Sequence, residues 1–197
     1  MNSVIYGNIP TEQIIVNSYE RAKRFNITDD FSMEEFDKCF DKLKAVVDCK
    51  YSAVRVPVRI LNDCTLDCGF GEIKSKNLIK NLKDSREIFV FGVTLGMGVD
   101  RILTRLRAIS PSEYFITDAL SSALAEGAMD RTEKLVKGNT FTRPRFSPGF
   151  GDFVIENQVK ILELINAQRL LGITINKSYL MSPMKSVTAV MGIIEGE

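Results

Sequence analysis

Between positions 143 and 153 the chain reads RPRFSPGFGDF, with two arginines, two prolines, two glycines and three phenylalanines in eleven residues. Each of these residue types has a use at a binding site. Arg145 can grip a carboxylate, because a guanidinium makes bidentate bonds. Gly149 and Gly151 let main-chain N–H and C=O groups approach a ligand closely. Phe146 and Phe150 offer ring faces to a base or a cation. Proline removes a backbone donor and fixes φ, so the segment is a shaped loop and not a helix or regular strand. The same residues also suit an ordered loop that packs its phenylalanines into the core, and composition leaves both readings open.

Three further groups invite the same question. Glu126 stands among Ser122, Ala123, Gly127 and Ala128, small side chains that let another surface come close. A carboxylate there can receive an ammonium or a ribose hydroxyl, although most helical glutamates are simply solvated. In 92-GVTLGMGVDRI-102, Gly96 and Gly98 form a glycine turn between a strand and a helix, but Arg101 takes the place of the third glycine of a dinucleotide fingerprint. A tight turn into a packed helix is the plainer reading. Cys64 and Cys68 have C-x3-C spacing without the third cysteine of a radical S-adenosylmethionine motif. They read as small buried side chains in or beside a strand, on one face if the segment is extended.

Composition narrows the classes. With 26 basic and 25 acidic side chains in 197 residues, the net charge is +1, which argues against a nucleic-acid or polybasic membrane partner. There is no histidine, so Ser-His-Asp and Cys-His catalysis and imidazole metal ligation are excluded. No stretch reaches the ~20 apolar residues of a membrane span, and the N-terminus lacks a secretory pattern. A cytoplasmic protein with free thiols is expected.

The elements that must position these residues follow from periodicity. Apolar spacing predicts helices over 11–25 and 33–49, the second behind a capping box of Ser32 and Glu35. Alternation over 53–61 predicts a strand with Pro57 near an edge or bulge, followed across Asn62–Asp63 by a glycine-weakened partner over 65–74. Ser75 caps a helix over 76–83. A fully buried strand over 87–95 runs through the Gly96 turn into a helix over 99–108, and Ser110-Pro111 opens another to about 136. One amphipathic helix spans 154–172, stopped by Gly172. Short strands with a turn at Ser182-Pro183 close the chain. The pattern predicts one α+β domain over 1–197, a mostly antiparallel twisted sheet with flanking helices, its first 50 residues helical and the remainder carrying sheet and site.

The series Arg145-Phe146-Ser147-Pro148-Gly149-Phe150, the helix after it, 172-GITINKSYLMSP-183 and 186-SVTAVMGI-193 resembles the activation domain of cobalamin-dependent methionine synthase. The segment 118-DALSSALAE-126 is similar to that domain's helix with an Ala-Glu pair. The resemblance covers roughly residues 50–194. It implies an S-adenosyl-L-methionine site in which Arg145 holds the methionine carboxylate, main chain from Pro148 through Gly149 and Phe150 to Gly151 lines the adenosine, and Glu126 contacts the ligand. Phe150 stands where the family commonly has tyrosine.

The family's task, as the resemblance implies it, is reductive methylation of inactive cob(II)alamin, with the methyl group held by positioning and no side-chain acid or base. A chain without histidine has no D-x-H-x-x-G motif, so the cobalamin is expected on a separate methionine synthase or corrinoid methyltransferase acting in trans, with flavodoxin or another reductant supplying the electron. Two other functions stay open on the sequence: a nucleotide-binding enzyme built on the Gly96–Gly98 turn, and an interaction module that has lost its ligand.

Overall fold

The backbone is organised by one strand that the sequence makes apolar on both faces. In the computed structural model, which describes residues 3–14 and 33–194, this is β6 (Ser85–Thr94), at the centre of an antiparallel sheet in the order β1-β2-β6-β9. Its neighbours are β2 (Lys50–Pro57) and β9 (Ser186–Ile194), and β1 (Val4–Asn8) lies outside β2. Phe89, Phe91 and Val93 point to one side and Ile88 and Val90 to the other, and each set joins a separate buried cluster. A sheet buried on both faces needs helices or further strands on each side.

One side is covered by α1 (Met33–Lys44), α3 (Met97–Ile109) and α4 (Pro111–Lys137). The other is covered by α2 (Lys76–Asn81), α5 (Asn157–Leu164), α6 (Ala167–Leu171) and a small sheet of β3 (Arg59–Asn62), β4 (Thr65–Asp67) and β5 (Glu72–Lys74). A two-stranded pair, β7 (Thr174–Ile175) with β8 (Met181–Ser182), leads into β9. The result is the α+β arrangement of antiparallel sheet and flanking helices that the periodicity predicts.

Several local expectations hold. Ser75 accepts a hydrogen bond from the Leu78 N–H at 2.9 Å, Pro111 opens α4, and Gly172 ends α6 in the left-handed region. Others are corrected. The strand expected over 53–61 divides after Pro57, where the chain leaves the large sheet for the small one. The helix expected over 33–49 ends at Lys44, because Asp48 N–H turns to the Leu95 carbonyl at 3.0 Å. The single helix expected over 154–172 is two helices. Asn166 takes φ 55 between them, a conformation asparagine tolerates, and the Ile165 carbonyl accepts from Ser52 Oγ at 2.6 Å instead of continuing the helix. The helix expected over 11–25 lies, beyond Ile14, outside the described residues, as does Ser32 of the capping box. Among the described residues no helix is long and apolar enough to cross a membrane.

Candidate functional site

The outer edge of β9 is half covered. Residues 141–146 run along it, with Phe146 and Val190 exchanging main-chain bonds at 2.8 and 2.9 Å and Arg143 N–H meeting the Gly192 carbonyl at 2.8 Å. Then Pro148, which has no N–H to offer, turns the chain away. The edge from Ser186 to Thr188 stays open. Alternation in an antiparallel ladder turns the N–H and C=O of Thr188 the same way as those of Val190, out of the sheet edge. A cleft of about 360 Å³ occupies this gap, lined by Glu126, Arg145, Phe146, Ser147, Pro148, Phe150, Ile155, Gln158, Met181 and residues 186–188. Its volume lies in the ~300–1,000 Å³ range of small-molecule sites.

The turn beside the cleft is held by its own bonds. Gly149 N–H donates to the Phe153 carbonyl at 2.7 Å. Gly149 and Gly151 both have positive φ, 92° and 56°, which glycine adopts without the Cβ penalty. Asp152 fastens the far end: its carboxylate accepts from Ser75 Oγ and from the Lys76 and Asn77 N–H groups at the start of α2. The Ser75 bond first, and the main-chain bonds with it, hold the Asp152 carboxyl below the usual aspartate range, against the opposing effect of burial. Phe153 is fully buried and stacks on Phe146 at 6.2 Å between ring centres. Phe150 is left 64% exposed at the cleft.

The opposite wall is α4. Arg145 reaches it with three ion pairs: Nη1 to Asp130 Oδ1 at 2.7 Å, Nη1 to Glu133 Oε2 at 3.2 Å and Nη2 to Glu126 Oε2 at 3.0 Å. Burial works against the guanidinium charge, but the bonds to Asp130 and Glu133 and the Glu126 charge outweigh it and hold the pKa above the ordinary arginine value. Further up the helix, Lys185 Nζ pairs with Asp118 at 2.8 Å and donates to Ser122 Oγ at 2.9 Å. Residues 118, 122, 126, 130 and 133 thus form one helical stripe along the β9 edge. Asp100, at the start of α3, takes the Met184 N–H on both carboxylate oxygens at 2.9 and 3.1 Å and fixes the turn that delivers β9.

The floor holds polar groups that protein alone does not satisfy. Thr188 Oγ1 is buried without a hydrogen-bond partner among the described residues, which is uncommon in a folded protein. Gln158, 3% exposed, directs Nε2 only at the Met181 sulfur, a weak acceptor.

Of the residues singled out in the sequence, Glu126, Arg145, Pro148 and Phe150 meet in this cleft, whereas Gly149 and Gly151 shape the turn behind it. Phe146 lines the cleft but is engaged with Phe153, so Phe150 is the exposed ring face. Asp130, Glu133, Gln158 and Thr188 went unnoticed. The acidic pair was visible as an i, i+4, i+7 series from Glu126, but nothing local says that an arginine is laid across it. The Gly96–Gly98 turn is elsewhere and is filled by protein: a Cβ on Gly96 would stand 3.0 Å from the Asp48 carbonyl oxygen, and one on Gly98 would collide with the Val46 carbonyl oxygen. Cys68 is fully buried, but Cys64 is exposed, so only one of the pair is the buried small side chain expected. Burial, and after it the Asp67 charge, pushes the Cys68 thiol up to about 12. A wider hollow of about 550 Å³ lies over α5, α6 and β7, but none of its lining side chains has a buried orphaned polar atom, and it lacks the chemistry of the β9 cleft.

Compared with models of known protein families the sequence matches none, and it matches no curated protein. The fold is that of a solved structure, the crystal structure of the MetH reactivation domain bound to AdoHcy. The two superpose with a TM-score of 0.71 and 15% sequence identity, over 96% of this chain and 78% of that one. The structure therefore has the fold of the domain that the sequence motifs resemble.

Proposed function

We propose that this chain binds S-adenosyl-L-methionine in the cleft between α4, the 147–151 turn and the open edge of β9, and there supports reductive methylation of cob(II)alamin on a separate cobalamin-binding methyltransferase. The observation that carries the reading is the pairing, in one cleft, of an ionic end and an uncharged end. Arg145 and Glu126 supply opposite charges 3.0 Å apart, suited to a carboxylate and an ammonium. The Thr188 edge, Gln158 and the exposed Phe150 ring supply hydrogen-bonding groups and an aromatic face, suited to a nucleoside. The orphaned Thr188 hydroxyl is what a site awaiting a polar partner leaves behind.

S-adenosylmethionine supplies the transferable methyl group on its sulfonium. The chain's residues bind and orient: Arg145 and Glu126 fix the amino-acid head, and the main chain of the Pro148 turn and the Thr188 edge fix the nucleoside. No proton has to be moved by a side chain, which suits a protein without histidine. Cobalamin and the electron come from the partner methyltransferase and from flavodoxin or another reductant.

The test is a reactivation assay. A cobalamin methyltransferase lacking its own activation domain is brought to the cob(II)alamin state, and methylcobalamin is followed by its absorbance with S-adenosylmethionine and reductant. The proposal expects methylation that depends on adding this chain. Ligand binding without any stimulation would remove the reactivation role. Absence of both binding and stimulation would leave an interaction module.

A further inference from the structure

The stripe on α4 contains more carboxylates than an arginine clamp needs, and their geometry is unequal. Arginine has five N–H donors. Both Nη1 hydrogens are taken, by Asp130 at 2.7 Å and Glu133 at 3.2 Å. One Nη2 hydrogen goes to Glu126 at 3.0 Å. Among the described residues, the second Nη2 hydrogen and Nε–H have no partner. Nε and Nη2 lie on one edge of the guanidinium, and that edge is a fork a carboxylate can fill bidentately. Asp130 and Glu133 are the less exposed partners, with side chains 35% and 22% exposed against 48% for Glu126. Only Glu126 of the three lines the cleft.

We infer that Asp130 and Glu133 are positioning residues that anchor Arg145 by Nη1, while Glu126 is an exchangeable partner that yields its place on Nη2 and takes the ligand's ammonium. The inference rests on the reading of the cleft as a site for an amino-acid head. It also specifies that head. Three carboxylates already touch the one guanidinium. A bare carboxylate would add a fourth negative group around one guanidinium. A zwitterion would not, because its ammonium neutralises Glu126 as its carboxylate enters the fork. Anchoring beforehand also lowers the ordering cost that a long arginine side chain otherwise imposes on binding. The site therefore selects α-amino acid heads over simple carboxylates.

The test compares two ligands that share the adenosine and thioether: S-adenosylhomocysteine, which has the amino-acid head, and 5′-methylthioadenosine, which lacks it. Asp130→Asn keeps the shape and removes the charge. By calorimetry it should weaken S-adenosylhomocysteine about tenfold, the size of one charge-assisted hydrogen bond, and leave 5′-methylthioadenosine unchanged. Glu133→Gln should act in the same direction with a smaller effect. Equal loss for both ligands, or no loss for either, would overturn the inference. A ligand-free readout separates it from the ligand reading. With 15N-labelled arginine, the Arg145 Nη resonances should be resolved in the wild type, because the group cannot rotate, and should merge in the Asp130→Asn/Glu133→Gln double variant. Merged resonances in the wild type would refute the anchoring. Failure of the wild type to bind S-adenosylhomocysteine, with resolved resonances, would refute the ligand reading and leave the anchoring in place.

Discussion

Two glycine turns in this molecule look alike in the sequence and do opposite things. The turn at Gly96 and Gly98 joins the central strand to α3, the position from which many nucleotide sites are built. The turn at Gly149 and Gly151 follows an irregular run along a sheet edge. At the first, the space that glycine frees is filled by the main chain of Val46 and Asp48, so the glycines are there for close packing. At the second, the neighbour of Gly151 is the side chain of Asn77, only a side-chain atom of Ile155 comes near Gly149, and the cleft beside the turn is lined by charged groups and the orphaned Thr188 hydroxyl. A glycine therefore reports a close approach. Whether the approaching group is protein or ligand is decided by which polar atoms nearby are left without partners.

The comparison can be broken by substitution. Gly98→Ala carries the largest expected effect. Its methyl group meets main chain that cannot swing aside, and overpacking of that kind costs at least ~2 kcal/mol, a fall of about 4 °C or more in thermal midpoint for a chain this long. Gly151→Ala is expected to cost less, about 1–2 kcal/mol, from the left-handed backbone alone, because the Asn77 side chain can rotate away. Equal losses in urea unfolding would mean that the two turns are packed alike.

A pH titration sharpens the picture of how the second turn is held. The Asp152 carboxyl titrates lower in the folded state than in the unfolded chain. Its contribution is therefore fully present above the unfolded value of ~3.9 and is lost as pH falls through the lower folded value. Asp152→Asn is expected to flatten the decline in thermal midpoint below about pH 4. A variant that declines as steeply as the wild type would contradict the fastening of the turn to α2.

The smallest effect concerns Thr188. A hydroxyl that fills a hydrogen-bonding role in the fold is missed when it is replaced, but this one has no partner to lose. Thr188→Val is expected to leave stability unchanged within ~0.5 kcal/mol or to raise it, while weakening nucleoside binding. A loss above ~1 kcal/mol in urea unfolding would place the hydroxyl in the structure's own hydrogen-bonding.

Much of this was legible in the sequence where the cause is local. Ser75, Pro111 and Gly172 mark helix ends because capping depends on neighbouring residues alone. The buried strand over 87–95 showed itself by unbroken apolar character. The loop at Arg145 was legible by its residue types, and its motifs resembled a family whose fold the structure shares. What stayed hidden is non-local. The break at Asn166 depends on Ser52, more than a hundred positions away in the chain. The roles of Asp130 and Glu133 depend on where the Arg145 loop lies against α4. The orphaned Thr188 hydroxyl becomes visible only once every other polar group around it has found its partner.

The most direct test of the central claim is titration calorimetry of S-adenosylmethionine into the wild type and into Arg145→Ala. The account predicts saturable one-to-one binding by the wild type and a loss of at least about tenfold in the variant, since hydrogen bonds to a charged group are removed. Wild-type affinity retained by Arg145→Ala, with the variant folded, would contradict it.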